Sequence, residues 1–137
     1  MHRKDPTCAA GLLADALIDD GRVGALARSA SAADPHWAAP AHLLVEVVSV
    51  VRGRALGGKL RPARAQEVVD ALPTLVIDQV DVATLVDRMW QLRGNLTACD
   101  AAYVAAAEAL GCPLVTADGR FAKANAVRCE IRLVSPY

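Results

Sequence analysis

The chain has 137 residues, which is enough for one compact domain with a hydrophobic core and too few for two. Its 15 basic and 15 acidic residues cancel, and this balance argues against a protein that binds nucleic acid through bulk positive charge alone. No segment approaches the roughly 18 consecutive apolar residues of a membrane span, and no signal peptide is recognisable. The sequence therefore predicts a soluble, cytoplasmic protein without a membrane partner.

The cysteines and histidines show no spacing that is typical of a metal site or a catalytic pair. His36 and His42 could act as acids or bases, but nothing distinguishes them from packing or surface histidines. The cysteines form no C-x-x-C pair and have no histidine at zinc-binding spacing, so we expect buried, reduced thiols that act as small hydrophobic side chains. They are Cys8, Cys99, Cys112 and Cys129.

Apolar periodicity and turn residues predict mostly helices in the first half of the chain. A helix at residues 8–18 is followed by another at about residues 23–32. A short strand is expected at residues 36–38, and Pro40 suits the first position of the next helix. A further helix begins at Pro62 and is closed by a second proline.

In the second half of the chain, the patterns predict strands that alternate with helices. The apolar, β-branched residues 74–77 suit a buried strand, and Asp81 suits a helix cap. The most regular helix covers residues 98–110, and strands are expected at 113–116 and 131–134. This alternation predicts a single α/β domain with a mostly parallel central sheet flanked by helices.

Three acidic residues occupy places from which they could converge on one site. Asp118 follows a predicted strand, Asp100 lies in the first turn of a predicted helix, and Glu46 lies beside an apolar helix stripe. Parallel α/β sheets bind ligands beyond the carboxyl ends of their strands. Carboxylates gathered there would suit a hard cation such as Mg²⁺ or Mn²⁺, which acidifies a bound water and offsets charge on a phosphoryl oxygen.

Each of these acids also has a purely structural explanation. Thr97 and Asp100 form a capping-box-like pattern at the start of a helix. Asp118 precedes a glycine in what could be an ordinary turn, and Glu46 could be solvated at the edge of its apolar stripe. The residues alone therefore leave both explanations open.

Two motifs at the end of the chain resemble the VapC branch of the PIN-domain family. The family pattern T-x-x-D-A-x-Y-V-A-x-A-E runs here from Thr97 to Glu108, and L-V-T-x-D-x-R runs from Leu114 to Arg120, without a gap between them. Residues 41–47 are similar to the family's Glu-Val helix. Including the last predicted strand, the resemblance covers about residues 40–134.

The family carries a further acid at the end of its first strand, in a pattern like V-V-D-x-S. Asp5 begins a D-x-T match, but residues 2–4 are basic or polar where a buried central strand should be apolar. A second register aligns residues 13–17 with the first helix and places Ala9 at the position of the acid. We prefer Asp5, with an atypical N-terminal strand around residues 1–5.

The resemblance implies that residues 1–137 form a PIN-like domain and that the protein is a metal-dependent ribonuclease, the toxin of a VapB–VapC pair. The implied partners are an RNA substrate, a VapB-type antitoxin that inserts a peptide near the acidic site, and a second copy of the chain. The implied catalytic and metal-binding carboxylates, which would hold Mg²⁺ or Mn²⁺, are Asp5, Glu46, Asp100 and Asp118. The candidate substrate contacts are Thr116, Arg93 and Arg120, although both arginines could be ordinary solvated side chains.

Two alternatives remain. The first is a catalytically impaired PIN domain that binds an antitoxin or RNA without efficient cleavage. The atypical N-terminus is the reason to consider it. The second is a phosphoacceptor receiver domain, which also gathers acids at strand ends. A receiver needs a lysine after a late strand, whereas the late lysine here, Lys123, lies in a predicted helix.

Overall fold

Five short strands form the centre of the protein in its computed structural model, which describes residues 7–10 as backbone and residues 37–134 in full. They are β1 (Thr7–Ala10), β2 (Trp37–Pro40), β3 (Ile77–Val80), β4 (Leu114–Thr116) and β5 (Ile131–Leu133). Their order in the sheet is β3-β2-β1-β4-β5, and every neighbouring pair is parallel. The predicted α/β architecture with a parallel sheet is confirmed.

The chain changes direction across the sheet beside β1. From β1 it runs outward through β2 to β3, and it then returns past β1 to form β4 and β5 on the other side. Such a reversal leaves a crevice at the carboxyl ends of the two strands that flank it, where parallel α/β proteins bind ligands. In this fold the crevice lies at the carboxyl ends of β1 and β4.

Helices connect the strands within the described part of the chain. The connection from β3 to β4 passes through two α-helices and a short 3₁₀ turn, Val82–Leu85, which Asp81 caps by accepting the Ala83 N–H at 3.0 Å. A second 3₁₀ turn, Leu72–Thr74, precedes β3. The α-helices are α1 (Leu43–Leu56), α2 (Pro62–Ala71), α3 (Val86–Gln91), α4 (Ala98–Leu110) and α5 (Arg120–Lys123). None of the described helices combines the length and apolar character of a membrane span.

Helix α4 has the bounds that its sequence predicts, and it lies across the centre of the sheet. The Thr97 hydroxyl accepts the Asp100 backbone N–H at 3.2 Å, and Gly111 ends the helix in the left-handed conformation with φ 65°. Residues 101–107 are all buried, and α4 packs against β1, β2, β4 and α3. Because most of these residues are alanine, the helix can lie close to the strands while its first turn points at the crevice.

The N-terminal helix predicted at residues 8–18 is wrong at its beginning, because residues 8–10 lie in β1. This strand pairs with β2 on one side and β4 on the other, and this tertiary pairing overrides the helical preference of an alanine-rich sequence. The rest of that predicted helix, and the one predicted at residues 23–32, lie outside the described residues.

Two predicted boundaries near β2 and β3 are also wrong. Pro40 ends β2 instead of opening α1; it lies beyond the last residue that pairs with β1, so its missing N–H costs no ladder hydrogen bond on that side. Strand β3 covers Ile77–Val80 rather than residues 74–77, and it includes two exposed polar residues, Asp78 and Gln79. Polar residues are tolerated there because β3 is an edge strand.

A largely buried ion pair ties α3 to α4 and to the segment before β5. Arg88 donates to both carboxylate oxygens of Glu108, at 2.6 and 3.1 Å, and to the Ala126 carbonyl at 2.6 Å. Glu108 also accepts the Arg128 N–H at 2.7 Å. Burial by itself raises the pKa of the Glu108 carboxyl, but the hydrogen bonds from Arg88 and Arg128 and their charges outweigh it and hold the pKa below its usual value.

Replacing Glu108 by Gln should lower the free energy of unfolding at neutral pH by about 2 kcal/mol, because Arg88 then loses a charged hydrogen-bond partner. A carboxyl whose pKa is depressed by folding stabilises the protein above its unfolded-state pKa, and this contribution is lost as the pH falls through the folded value. The difference between wild type and variant should therefore shrink below the usual Glu pKa of 4.5. Urea unfolding at neutral and strongly acidic pH measures both effects.

The matched control for this variant is Glu67→Gln. Glu67 also pairs with an arginine, Arg64, at 3.2 Å, but its side chain is 68% exposed. An exposed pair contributes little to stability, so this change should be nearly neutral at both pH values. Equal losses in the two variants would contradict the role assigned to the Arg88–Glu108 pair.

Replacing Gly111 by Ala should lower the free energy of unfolding by about 1 kcal/mol, because a residue with a Cβ is strained in the left-handed region. The added methyl group itself would meet nothing within 4 Å, so the effect isolates the backbone. Gly94→Ala is the control, since its Cβ also has open space and its φ lies outside the left-handed region. Thermal or urea unfolding that fails to separate the two variants would rule out this cap as the cause.

Candidate active site

The three acids predicted from the sequence all lie on elements that reach the crevice. Asp118 follows β4 by two residues, and Glu46 lies in the first turn of α1, directly after β2. Helix α4 ends just before β4 begins, so its first turn, with Asp100, lies at the opposite, carboxyl edge of the sheet. Three separate parts of the chain thus deliver one carboxylate each to the same edge.

Glu46 is held in place by a tyrosine from α4. The buried Tyr103 hydroxyl donates a short hydrogen bond to Glu46 Oε2 and so joins α1 to α4. Burial is the main cause that raises the pKa of Tyr103 well above its usual range, and the hydrogen bond to Glu46 and its charge add to it. The hydroxyl therefore stays protonated and acts as a donor, which leaves Glu46 Oε1 available on the other side of the carboxylate.

His42 lies against the same glutamate, one helical turn before it. Its Nε2 atom is 3.5 Å from Glu46 Oε1, and its ring packs on that of Tyr103 with 4.9 Å between centroids and an interplanar angle of 49°. The Nε2 atom is buried and makes no hydrogen bond with good geometry. Because a buried imidazole nitrogen usually has a polar partner, this atom is a candidate ligand for a cation beside Glu46.

Cys99, at the start of α4, completes a group of three potential ligands around Glu46. One ligand atom from each of His42, Glu46 and Cys99 lies within 4.8 Å of the other two. Although Cys99 is exposed as a residue, desolvation of its thiol, followed by the negative charge of Glu46 and a hydrogen bond with it, raises its pKa. The thiol is therefore protonated at neutral pH in the absence of a cation.

Asp118 is neutralised by the arginine that follows it two residues later. Arg120 Nε donates to both Asp118 carboxylate oxygens at 3.0 and 2.9 Å, and Nη2 donates to one of them at 2.5 Å. These hydrogen bonds lower the pKa of the Asp118 carboxyl. The Arg120 side chain is 75% exposed, so it can leave the carboxylate without disturbing the core.

Asp100 lies between these two groups. Its negative charge contributes to the raised pKa values of Cys99 and Tyr103 on one side and of Arg120 on the other. The Thr97 cap uses the Asp100 backbone and not its carboxylate, so the cap leaves this side chain available. The three described carboxylates do not form one tight cluster, but they line one edge and are electrostatically linked.

Carboxylate oxygens from three elements form a donor set that fits a hard divalent cation. Glu46 has one oxygen fixed by Tyr103 and one free to coordinate, and Asp118 has a counter-ion that a cation could replace. Like-charged carboxylates brought together in this way repel one another unless a cation lies between them. The described residues therefore fit the metal that the sequence predicts.

The predicted fourth acid, Asp5, lies outside the described residues and stays a prediction. The carboxyl end of β1 carries Ala9 and Ala10, which pair with Val115 and Thr116 of β4. No acidic residue occurs in the sequence between Asp5 and Asp15. This end of β1 therefore contributes no carboxylate, as the register that places Ala9 at the acid position expects.

The predicted substrate contacts have different surroundings. Thr116 is fully buried, and its hydroxyl accepts the Asp118 N–H at 3.0 Å, so its environment suits positioning of Asp118 better than contact with a substrate. Arg93 is exposed; its guanidinium lies 4.4 Å from the centroid of the Trp90 ring and donates to the Trp90 carbonyl at 2.8 Å. Both arginines stay candidates for phosphate contacts.

Sequence reasoning missed three neighbours of Glu46. Tyr103 occurs in the helix motif without an assigned role, His42 has no spacing that separates it from a packing residue, and the expectation that the cysteines are buried is wrong for Cys99, although it holds for Cys112. Spacing could have indicated only His42, because it lies four residues before Glu46 at the start of the same helix, whereas Cys99 and Tyr103 come from a different helix.

Comparison with known proteins agrees with this fold and site. The family model described as PIN domain matches residues 12–127. Ribonuclease VapC1 of Mycobacterium tuberculosis is 42% identical over 95 residues, which cover 68% of this chain and 71% of the relative. Ribonuclease VapC9 of the same species is 34% identical over 119 residues, covering 87% and 90%, and Ribonuclease VapC12 is 37% identical over 97 residues, covering 71% and 75%.

The sheet is parallel and has carboxylates at its switch point, and the chain's sequence is similar to those of known ribonucleases. Together these findings define an α/β domain of the nuclease type. The chain belongs to the PIN-domain family and, within it, to the VapC ribonucleases. The resemblance predicted from the sequence motifs is confirmed.

Replacing Arg120 by Gln should strengthen the binding of a divalent cation, because the guanidinium competes with the cation for Asp118. Isothermal titration with Mn²⁺ should give a severalfold lower Kd for the variant than for wild type. Arg132→Gln is the control, since Arg132 pairs with an exposed glutamate, Glu130, before β5. An unchanged Kd in Arg120→Gln would mean that Asp118 is not a ligand or that Arg120 does not compete for it.

Proposed function

We propose that this protein is a cytoplasmic, metal-dependent ribonuclease that hydrolyses RNA phosphodiester bonds as the toxin of a VapB–VapC pair. The observation that carries the proposal is the delivery of Glu46, Asp100 and Asp118 by three separate elements to the switch point of a PIN-domain sheet. RNA is the substrate class named for the relatives, and the acidic, cation-binding edge is suited to phosphodiester chemistry.

The proposed roles follow from the contacts. Glu46, Asp100 and Asp118 would hold Mg²⁺ or Mn²⁺. The predicted ligand Asp5 precedes β1 in the sequence, whereas the crevice lies at the carboxyl end of that strand, so Asp5 is not part of this proposed set and is tested separately. The chemistry that such a cation would supply there is a lower pKa for the attacking water and compensation of charge on the phosphoryl oxygens. Tyr103 fixes the orientation of Glu46 through its hydrogen bond.

Substrate binding is assigned to exposed cations at the same edge. Arg120 is one proposed phosphate contact, because its guanidinium is exposed beside Asp118 and could donate to an RNA phosphate. Arg93 is a second proposed phosphate contact, and its position over Trp90 keeps the guanidinium in a fixed, exposed place. Thr116 helps to position Asp118, because its hydroxyl accepts a hydrogen bond from the Asp118 backbone N–H.

The proposed protein partners are a VapB-type antitoxin and a second copy of the chain. Helix α1 has a solvent-facing side with three large apolar residues, Val45, Val48 and Leu56, which are 67%, 44% and 72% exposed. An apolar helix face of this kind suits burial in a homodimer. Light scattering of the purified protein measures the oligomeric state directly.

A second candidate function is a PIN domain with impaired catalysis that still binds its antitoxin. The observation that favours it is the pair of alanines at the carboxyl end of β1, which removes one source of metal ligands from the switch point. Loss of one carboxylate from a weakly held Mg²⁺ site lowers occupancy. The two candidates differ in whether the folded protein cleaves RNA.

The test is cleavage of total cellular RNA by the purified protein with Mg²⁺ or Mn²⁺, with and without excess EDTA. We expect discrete fragments that disappear with EDTA, and a loss of at least about 100-fold in rate for Asp100→Asn, because a neutral amide is a poor ligand for a hard cation. Glu130→Gln is the control, because this exposed acid precedes β5 and so lies at the amino ends of the strands, opposite the crevice. It should retain wild-type activity.

Two further outcomes discriminate between the candidates. A folded wild-type protein that cleaves no RNA with either metal would support the impaired domain, whereas cleavage by a folded Asp100→Asn variant would exclude the metal mechanism. Asp5→Asn tests the register of the N-terminus, because undiminished activity in that variant would remove Asp5 from the site.

A further inference from the structure

The ligand atoms around Glu46 are of three chemical kinds. His42 supplies an imidazole nitrogen, Glu46 a carboxylate oxygen and Cys99 a thiol sulfur, all within 4.8 Å of one another. Nitrogen and sulfur donors are poor ligands for Mg²⁺ but good ligands for borderline and soft cations, of which Zn²⁺ is the typical case. This group therefore differs in preference from the all-oxygen set of Glu46, Asp100 and Asp118.

We propose that His42, Glu46 and Cys99 form a binding site for Zn²⁺ or a cation of similar chemistry, separate in ligand set from the Mg²⁺ site and overlapping it at Glu46. Neither the family match nor the relatives' names assign such a site. A water or an exposed neighbour such as Asp100 can supply the fourth tetrahedral ligand.

The distances are close to those that tetrahedral coordination requires. Bond lengths of about 2.0 Å to nitrogen or oxygen and about 2.3 Å to sulfur place the ligand atoms roughly 3.3–3.6 Å apart. His42 Nε2 and Glu46 Oε1 already have this separation, at 3.5 Å. The Cys99 sulfur lies within 4.8 Å of the other two ligand atoms, and rotation about the Cα–Cβ bond would adjust this separation.

The surroundings hold two of the three ligands in place before a cation arrives. Tyr103 occupies Glu46 Oε2, so Oε1 faces His42, and the packing of the two rings fixes the plane of the imidazole. His42 Nε2 is buried, makes no well-aligned hydrogen bond with the described residues, and lies beside Glu46 Oε1 at 3.5 Å, so two donor atoms already face each other. Such preorganisation by neighbouring groups is typical of metal ligands.

Sharing Glu46 has a consequence for activity, and this step rests on the proposed function. A cation bound by His42, Glu46 and Cys99 would take Glu46 from the oxygen-only set, so Zn²⁺ should inhibit cleavage that depends on Mg²⁺. Removing the sulfur ligand should weaken this inhibition and leave the oxygen ligands unchanged.

Co²⁺ is the probe for the site, since a cobalt–thiolate bond gives a charge-transfer band in the near ultraviolet and tetrahedral Co²⁺ gives intense visible bands. Metal-free protein titrated with Co²⁺ should develop both, and Zn²⁺ should displace them. Cys99→Ser should lose the charge-transfer band, and His42→Asn should bind Co²⁺ at least about tenfold more weakly. The control is Cys129→Ser, which changes a half-buried cysteine away from the crevice and should keep the spectrum.

The outcomes separate this site from the nuclease. Absence of a thiolate band in folded wild-type protein, or a band that survives in Cys99→Ser, would overturn the proposed site whatever the nuclease result is. A cobalt spectrum as expected, in a protein that cleaves no RNA, would keep the site and reject the nuclease. If the protein cleaves RNA and binds Zn²⁺ here, inhibition by Zn²⁺ that is equal in wild type and Cys99→Ser would overturn the overlap at Glu46.

Discussion

The packing of α4 across the middle of the sheet is the constraint on which the rest of the structure depends. Seven consecutive buried residues, mostly alanine, allow the helix to lie against β1, β2 and β4. Its capped first turn is thereby placed at the carboxyl edge, where it presents Cys99 and Asp100, and one turn further on Tyr103 reaches Glu46 of α1. A larger side chain on the buried face would displace the helix and, with it, every one of these groups.

Two of the carboxylates in the site have hydrogen-bond partners that differ in burial and charge. Tyr103 is buried and neutral, so its hydrogen bond to Glu46 persists and fixes geometry rather than charge. Arg120 is exposed and cationic, so its pair with Asp118 neutralises charge and can be exchanged. The edge of the sheet therefore combines one carboxylate with a fixed direction and one with a replaceable counter-ion, which is an arrangement suited to binding and releasing a cation.

The sequence predicted those parts of the fold in which local signals and tertiary contacts agree. Helix α4 has its cap at Thr97, its stop at Gly111 and an apolar middle, and its bounds were predicted correctly. The strand at residues 8–10 was not, because an alanine-rich stretch is a strand here only through its pairing with β2 and β4. In the site, motifs indicated the acids, whereas the Tyr103–Glu46 contact joins residues 57 positions apart and has no local signal.

The two alanines at the carboxyl end of β1 leave the neighbouring elements as the sources of carboxylates in the described part of the site. Because Ala9 and Ala10 carry no carboxylate, the described candidate ligands come from α1, α4 and the loop after β4. The position of Glu46 then matters more than it would in a site with ligands all round, and Glu46 is also the residue that the nitrogen and sulfur donors share. Whether the site favours Mg²⁺ or a cation that prefers sulfur then depends on whether Glu46 coordinates together with the aspartates or together with His42 and Cys99. Tyr103 and His42 contact Glu46 and fix its orientation, so they affect this choice as directly as the acids do.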